Sequence, residues 1–279
     1  MQELTASMDS TATPQHNRHE LVIEIGNIPV RVRSANLAFL RMLENRYVGF
    51  VGGARRADFE FEVDIAPPDG VGADDDLSVL RRSGRWSLAR GDFRAEWDPA
   101  SNQGSIRQSA NPYSIDSVLR IVHSLALARE GSFLLHAASA VRNGRAFLFA
   151  GASGAGKTTI SRLAPADAVL LTDEVSYIRR QESGYFAFGT PFAGELAKSG
   201  ENVSAPIAAL YLLAKGPENR IESVGPAEAS RALLESILFF AQDPELVKSV
   251  FLAACEFVSR VPVHRLTFVP DAGVWELIV

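Results

Sequence analysis

Alternation of apolar and polar positions with a period of two dominates the first hundred residues. Leu21-Val22-Ile23-Glu24-Ile25 and Ile28-Pro29-Val30-Arg31-Val32 flank Gly26-Asn27, which predicts a hairpin whose second strand alternates strictly. Pro29 lacks an N–H and points to an edge position for that strand. Ser34 is the expected cap of a helix over 37–43. Phe59, Phe61, Val63 and Ile65 then alternate with Glu60, Glu62 and Asp64, a half-exposed strand whose carboxylates form a solvated face. Pro67-Pro68-Asp69-Gly70 turns the chain. A second hairpin places Trp86 and Leu88 against Phe93, Ala95 and Trp97 across Gly91-Asp92.

The period then changes. Ile115, Val118, Leu119, Val122 and Leu125 form one stripe of a helix over 114–129 that ends before Gly131 and joins two modules. His123 lies off that stripe and reads as a surface or half-buried structural histidine. Apolar runs at 133–141 and 146–150 meet across Asn143-Gly144, a strong hairpin signal. A buried strand over 168–172, a hairpin through 181–184, a Gly/Pro-rich loop at 189–194 and a strand over 208–214 follow. With an exposed Phe192, the segment from Gly189 to Glu195 is a shaped loop that can cover substrate or add an acid, or else a plain connecting turn. The remainder is helical from 226 to 258, interrupted near Asp243-Pro244, and closes on a strand through His264, Leu266 and Phe268. The expected organisation is a disordered tail at 1–19, a β-rich module at 20–112 and a second module at 113–279.

Composition narrows the function classes. With 279 residues and 47% hydrophobic content the chain can bury a substantial core. Its 28 basic and 33 acidic residues give a net charge of −5, which supplies no electrostatic footprint for nucleic acid or an anionic membrane. The single cysteine, Cys255, has no partner for an internal disulfide. No stretch reaches 18 uninterrupted apolar residues, and the N-terminus has neither a basic nor an apolar signal region. The expected compartment is the cytoplasm.

One motif carries chemistry. Gly151-Ala152-Ser153-Gly154-Ala155-Gly156-Lys157-Thr158 is a full G-x-x-x-x-G-K-[ST] phosphate-binding loop, placed after an apolar strand and before a helix that Thr159 continues. Its glycines let successive N–H groups turn toward a β-phosphate. Lys157 can reach the β/γ oxygens, and Thr158 offers a hydroxyl to Mg²⁺. Asp173 and Glu174 follow the strand Val169-Leu170-Leu171, sixteen residues beyond Lys157, where a magnesium–nucleotide site draws its acidic ligand. One acid can hold the metal while the other accepts the proton of an attacking hydroxyl. His136 stands on an otherwise apolar strand fifteen residues before the loop, where a core role is the ordinary one.

The stretch containing His136-Ala137-Ala138, the phosphate loop and Leu171-Thr172-Asp173-Glu174 resembles the catalytic domain of HPr kinase/phosphorylase and its kinase-like relatives. The resemblance covers roughly residues 115–215 and rests on three motifs in order. It implies an α/β fold, a phosphate-loop kinase core of PEP-carboxykinase-like type behind the β-rich N-terminal module. It also implies ATP and Mg²⁺, with Asp173 taking the proton of a substrate serine, His136 tuning its charge, and Glu174 holding the metal with Thr158. A generic phosphate-loop reading gives the metal to Asp173 instead. The chain lacks the family's Arg-Gly-x-Gly segment after the acids and has Ser199-Gly200-Glu201-Asn202 where the family has Pro-Gly-Arg-Asn.

The function implied is ATP-dependent phosphorylation of a Ser/Thr hydroxyl on a peptide or small protein, as in divergent relatives that phosphorylate a precursor peptide. A small-molecule kinase and a non-catalytic nucleotide-binding module remain alternatives. The apolar C-terminal helices serve a core or a homo-oligomer surface.

Overall fold

The computed structural model describes residues 18–67 and 76–278. Seven strands form the first sheet: β1 (His19–Ile25), β2 (Ile28–Ser34), β3 (Phe59–Ile65), β4 (Ser78–Arg82), β5 (Arg85–Arg90), β6 (Phe93–Asp98) and β7 (Gln103–Gln108). Their order is β1-β2-β3-β7-β6-β5-β4. The first hairpin has the predicted register, Ile25 opposite Ile28, with Gly26 and Asn27 both at positive φ. β2 is not an edge strand, because β3 pairs with it in parallel from Val30–Phe59 onward. Pro29 is tolerated because that ladder starts one residue later. The expected turn at Pro67-Pro68-Asp69-Gly70 falls mostly on 68–75, outside the described residues, as does nearly all of the expected N-terminal tail.

One face of this sheet is polar. Arg31 and Arg33 grip Glu60 at 2.6 and 2.9 Å, so these charges form the solvated face that the alternation implies. The other face buries Phe61, Trp86, Leu88 and Trp97 beneath two helices, α1 (Leu37–Arg46) and α2 (Pro112–Ala128). Asn36 caps α1, its side chain accepting the Phe39 N–H at 3.0 Å. Ser34, the expected cap, instead donates to the Val63 carbonyl. Asn111 and Pro112 start α2, a favoured pairing of cap and first-turn residue.

Helix α2 is packed on both sides. It lies against β6 and β7 of the first sheet and against β8 (Phe133–Leu135) and α5 (Pro244–Arg260) of the second module. His123 is therefore fully buried, contrary to the expectation from its place off the apolar stripe. Its Nδ1 sits 2.9 Å from the Tyr177 hydroxyl, while Nε2 has no partner. Arg179 closes the same joint by donating to the Gly26 carbonyl at 2.8 Å.

The second sheet has ten strands, eight on its main path and, beside it, β15 (Arg220–Ser223) and β17 (Val263–Phe268). They include β9 (Ala137–Arg142), β10 (Arg145–Ala150), β11 (Val169–Thr172), β12 (Ser176–Gln181), β13 (Gly184–Phe188) and a long β14 (Ser204–Lys215). The order runs β11-β9-β10-β14-β13-β12-β8-β16, where β16 is Ile237–Leu238. β14 serves two sets of partners: its first residues pair antiparallel with β13, and the rest runs parallel to β10 and to β17 (Val263–Phe268). The sheet is thus mixed, with β10, the strand that leads into the glycine-rich turn, between antiparallel β9 and parallel β14. Among the described residues no helix is long and apolar enough to cross a membrane.

Candidate functional site

The site begins at the end of β10, whose residues 146–150 are all buried. Phe149 stacks on Tyr211 with ring centroids 5.8 Å apart and meets Trp275 edge-on at 5.4 Å, which fixes the strand laterally. The chain then turns through 151–156 into the short helix α3 (Lys157–Arg162). Gly156 has φ +114°, and a Cβ there would lie 2.7 Å from the Phe268 ring, so both backbone angle and space demand glycine. Ile160 anchors α3 below the loop, its carbonyl accepting the Trp275 indole N–H at 3.0 Å. Lys157 is buried and folds back over the loop, donating to the Gly151 and Ala152 carbonyls at 3.0 and 3.4 Å.

Asp173 and Glu174 stand one strand away from β10, since β11 pairs with β9. The Thr172 hydroxyl oxygen accepts the N–H groups of Glu174 and Val175, both at 3.1 Å, and so turns the chain from β11 into β12. The two acids occupy different environments. Asp173 is 2% exposed; its two oxygens accept the Gly194 and Leu196 N–H groups, each at 2.9 Å. The side chain of Glu174 is 33% exposed and its Oε2 lies 4.0 Å from His136 Nε2.

His136 is displayed by a break in the strand. The apolar run expected over 133–141 is two strands, β8 and β9, and His136 between them donates its backbone N–H to the Ser236 carbonyl at 2.7 Å. Its side chain remains 40% exposed. Burial first, then the Lys157 charge, lower its pKa below the usual histidine value, with Glu174 opposing and Arg120 adding to the lowering.

The loop from 189 to 203 completes the site. Thr190 N–H donates to the Leu171 carbonyl and Glu201 N–H to the Leu170 carbonyl, both at 3.0 Å, so the loop covers the free edge of β11. Phe192, expected exposed, is 1% exposed and packs into the core beneath the Arg120 guanidinium. A Cβ on Gly194 would fall 2.9 Å from carboxylate oxygens of both Asp173 and Glu174. The next residue, Glu195, accepts the Thr158 hydroxyl at 3.0 Å.

The structure therefore brings Lys157, Thr158, Asp173, Glu174 and His136 to one region. The carboxylate bonded to Thr158 is Glu195, the last residue of the Gly/Pro-rich segment expected to add an acid or be a plain turn, and not one of the expected metal ligands. Among the described residues no three His, Cys, Asp or Glu side chains converge as a metal cage. The adjacent hydroxyl and carboxylate of Thr158 and Glu195 suit Mg²⁺, which takes one or two protein oxygens and draws the rest of its shell from phosphates and water. Two other expectations concern structural residues. His264 is half-buried and lies beside the Tyr211 ring at 5.8 Å, and Cys255 is a free, half-buried thiol on α5.

These features define a strand-rich protein of mixed sheets and helices, with a glycine-rich strand–loop–helix turn and the loop that carries Glu195 folded against it. More particularly, the chain belongs to the family of the SynChlorMet cassette protein ScmC, whose model matches residues 105–278. No curated protein matches the chain.

Proposed function

We propose that the chain is an ATP- and Mg²⁺-dependent kinase, with a core of the PEP-carboxykinase-like type found in HPr-kinase-like proteins, that phosphorylates a Ser/Thr hydroxyl on a peptide or small protein. The observation that carries this reading is the bond from Thr158 to Glu195. It joins the phosphate-loop motif to the loop that clamps Asp173 and overlies Glu174. The family's printed description, a cassette protein, agrees with action on a product encoded nearby. The cytoplasm is the setting proposed for it, in keeping with a single cysteine that can form no internal disulfide.

The residues divide the work as follows. The loop N–H groups and Lys157 bind the phosphates, and Thr158 with Glu195 would hold Mg²⁺, which when bound neutralises phosphate charge. The accessible acid is Glu174. Its carboxylate accepts the proton of the acceptor hydroxyl as the new oxygen–phosphorus bond forms and the bond between the γ-phosphorus and the bridging oxygen breaks, leaving ADP. His136, neutral by virtue of its lowered pKa, stands beside Glu174 as a positioning and charge-tuning group. Asp173 supports the loop.

The test is transfer of labelled γ-phosphate to peptides encoded beside the gene, read by mass spectrometry. A phosphoserine or phosphothreonine on such a peptide, lost in Lys157→Ala, is the expected result. Stable nucleotide binding with no transfer and no hydrolysis would favour a regulatory module.

A further inference from the structure

Helix α2 carries two charges within its length, Asp116 and Arg120, on an otherwise uncharged and largely buried surface. They lie four residues apart, the spacing at which a carboxylate and a guanidinium ordinarily pair. Here they do not. Asp116 Oδ2 takes Arg46, whose Nε is 3.0 Å away, and Oδ1 takes the Tyr47 hydroxyl. The Arg120 guanidinium is left with no hydrogen bond or ion pair among the described residues, and its Nε is buried without a partner.

What touches it is a ring. The guanidinium carbon sits 4.8 Å from the centroid of Phe192, the buried residue of the loop that also supplies Gly194 and Glu195 to the site. This contact fixes the height of the cation relative to the loop but satisfies none of its five N–H donors. Burial first, and then the Arg46 charge, lower the Arg120 pKa, against the opposing charges of Asp116 and Glu174. An arginine nevertheless stays charged in a protein. Its charge is felt at both groups that face the acceptor, Glu174 and His136. A half-buried cation with its Nε unpartnered, resting on the loop that carries Gly194 and Glu195, is costly unless an anion arrives to fill it.

We propose that Arg120 is a phosphoryl-binding residue: its guanidinium receives the oxygens of the terminal phosphoryl group and holds it between the phosphate loop and Glu174. This deepens the kinase reading and rests on it. The planar fork suits two phosphoryl oxygens at once, and pre-stacking on Phe192 limits the entropy lost when they bind. Because Arg120 is on the helix that fastens the N-terminal sheet, the first module would then contribute to the site through α2, holding Asp116 away by means of Arg46 and Tyr47.

Calorimetric titration with Mg²⁺ and either a non-hydrolysable imido analogue of ATP or ADP tests this without relying on turnover. Arg120→Met keeps the stem on Phe192 and removes the charge; Arg120→Gln keeps a polar end, and either variant, once its thermal unfolding shows that it is folded, decides the matter. The expected result is a loss of about tenfold to a hundredfold in affinity for the triphosphate analogue, the worth of a hydrogen bond to a charged group. Affinity for ADP should stay within about twofold on the same argument, because ADP has no group to place there. Unchanged affinity for the analogue, or an equal loss for ADP, overturns the role of Arg120 and leaves the kinase reading standing. A wild-type chain that binds neither nucleotide overturns that reading itself.

Discussion

The Thr158 hydroxyl donates to Glu195 Oε2 across 3.0 Å, so a side chain just after the glycine-rich turn and a loop thirty-seven residues later form one unit. Glu195→Gln and Thr158→Val should each raise the Mg²⁺ concentration needed for half-maximal nucleotide binding, by about threefold to tenfold for loss of one metal-directed oxygen. The double variant should cost less than the product of the two, because the residues share a partner. Titrating Mg²⁺ at fixed nucleotide measures all three. Independent, fully multiplicative effects would separate Glu195 from the metal.

Lys157 is held by the Gly151 and Ala152 carbonyls, a local arrangement that survives without its side chain because Gly156 and Phe268 set the loop's shape. Lys157→Ala should unfold at nearly the wild-type temperature while losing at least about tenfold in triphosphate affinity, from one charge-assisted contact. Calorimetry at constant Mg²⁺ reads this directly. Retained affinity would remove the phosphate loop from the nucleotide site.

Gly194 separates the loop from both acids. A methyl group there would lie 2.9 Å from Asp173 and Glu174 oxygens, and the loop is also tied down at Thr190 and Glu201. Gly194→Ala should therefore destabilise the protein by about 1–3 kcal/mol through overpacking, and should weaken Mg²⁺-dependent binding because Glu195 is displaced. Chemical denaturation paired with a Mg²⁺ titration tests both parts. A fully stable variant with unchanged binding would show that the loop yields freely.

Features encoded by a few adjacent residues were legible in the sequence. Gly26-Asn27 and Asn143-Gly144 fix hairpins because both residues of each pair adopt positive φ, and the strand and helix expected on either side of the glycine-rich turn are β10 and α3. Features that depend on distant partners were not. Ser34 is the expected cap of α1, but the distant Val63 carbonyl draws its hydroxyl away and Asn36 caps the helix instead. Phe192 lies in a loop with glycines at both ends, yet Arg120 from α2 covers it. Glu195 stands in a segment whose glycines and proline mark a shaped loop able to add an acid, but its pairing with Thr158 depends on how that loop folds. Arg120 had one: a pair of charges on a helix otherwise fit for a core.

His123 links pH to stability. Burial lowers its pKa to about 3 from an ordinary value of 6.5, so the folded chain stays unprotonated there while the unfolded chain takes up a proton. Its stabilising contribution is complete above pH 6.5 and is lost as pH falls toward 3, at up to about 1.4 kcal/mol per pH unit for one proton. Lowered His136 adds a change of the same sign. His123→Gln does not titrate and can still meet the Tyr177 hydroxyl. Urea unfolding between pH 6 and 4.5 should show a flatter decline in this variant, and an identical slope would assign the acid sensitivity elsewhere.

The last prediction separates the two acids. Asp173 is buried and accepts two backbone N–H groups, so Asp173→Asn would turn an amide NH₂ toward one of those donors. That change should cost about 1–3 kcal/mol of stability, loosen the loop and, through Glu195, lower Mg²⁺·nucleotide affinity together with rate. Glu174 is partly exposed beside His136, and Glu174→Gln keeps its shape. It should leave folding and nucleotide affinity nearly unchanged while slowing transfer by about 10²–10⁴-fold, the usual contribution of a general base. His136→Gln should alter the acidic limb of the rate profile, because protonation of the histidine below its lowered pKa places a positive charge next to Glu174. Single-turnover transfer, nucleotide titration and thermal unfolding on the same three variants distinguish the roles. If Asp173→Asn keeps its stability and affinity and loses only rate, while Glu174→Gln loses affinity, the base is Asp173 and Glu174 belongs to the metal.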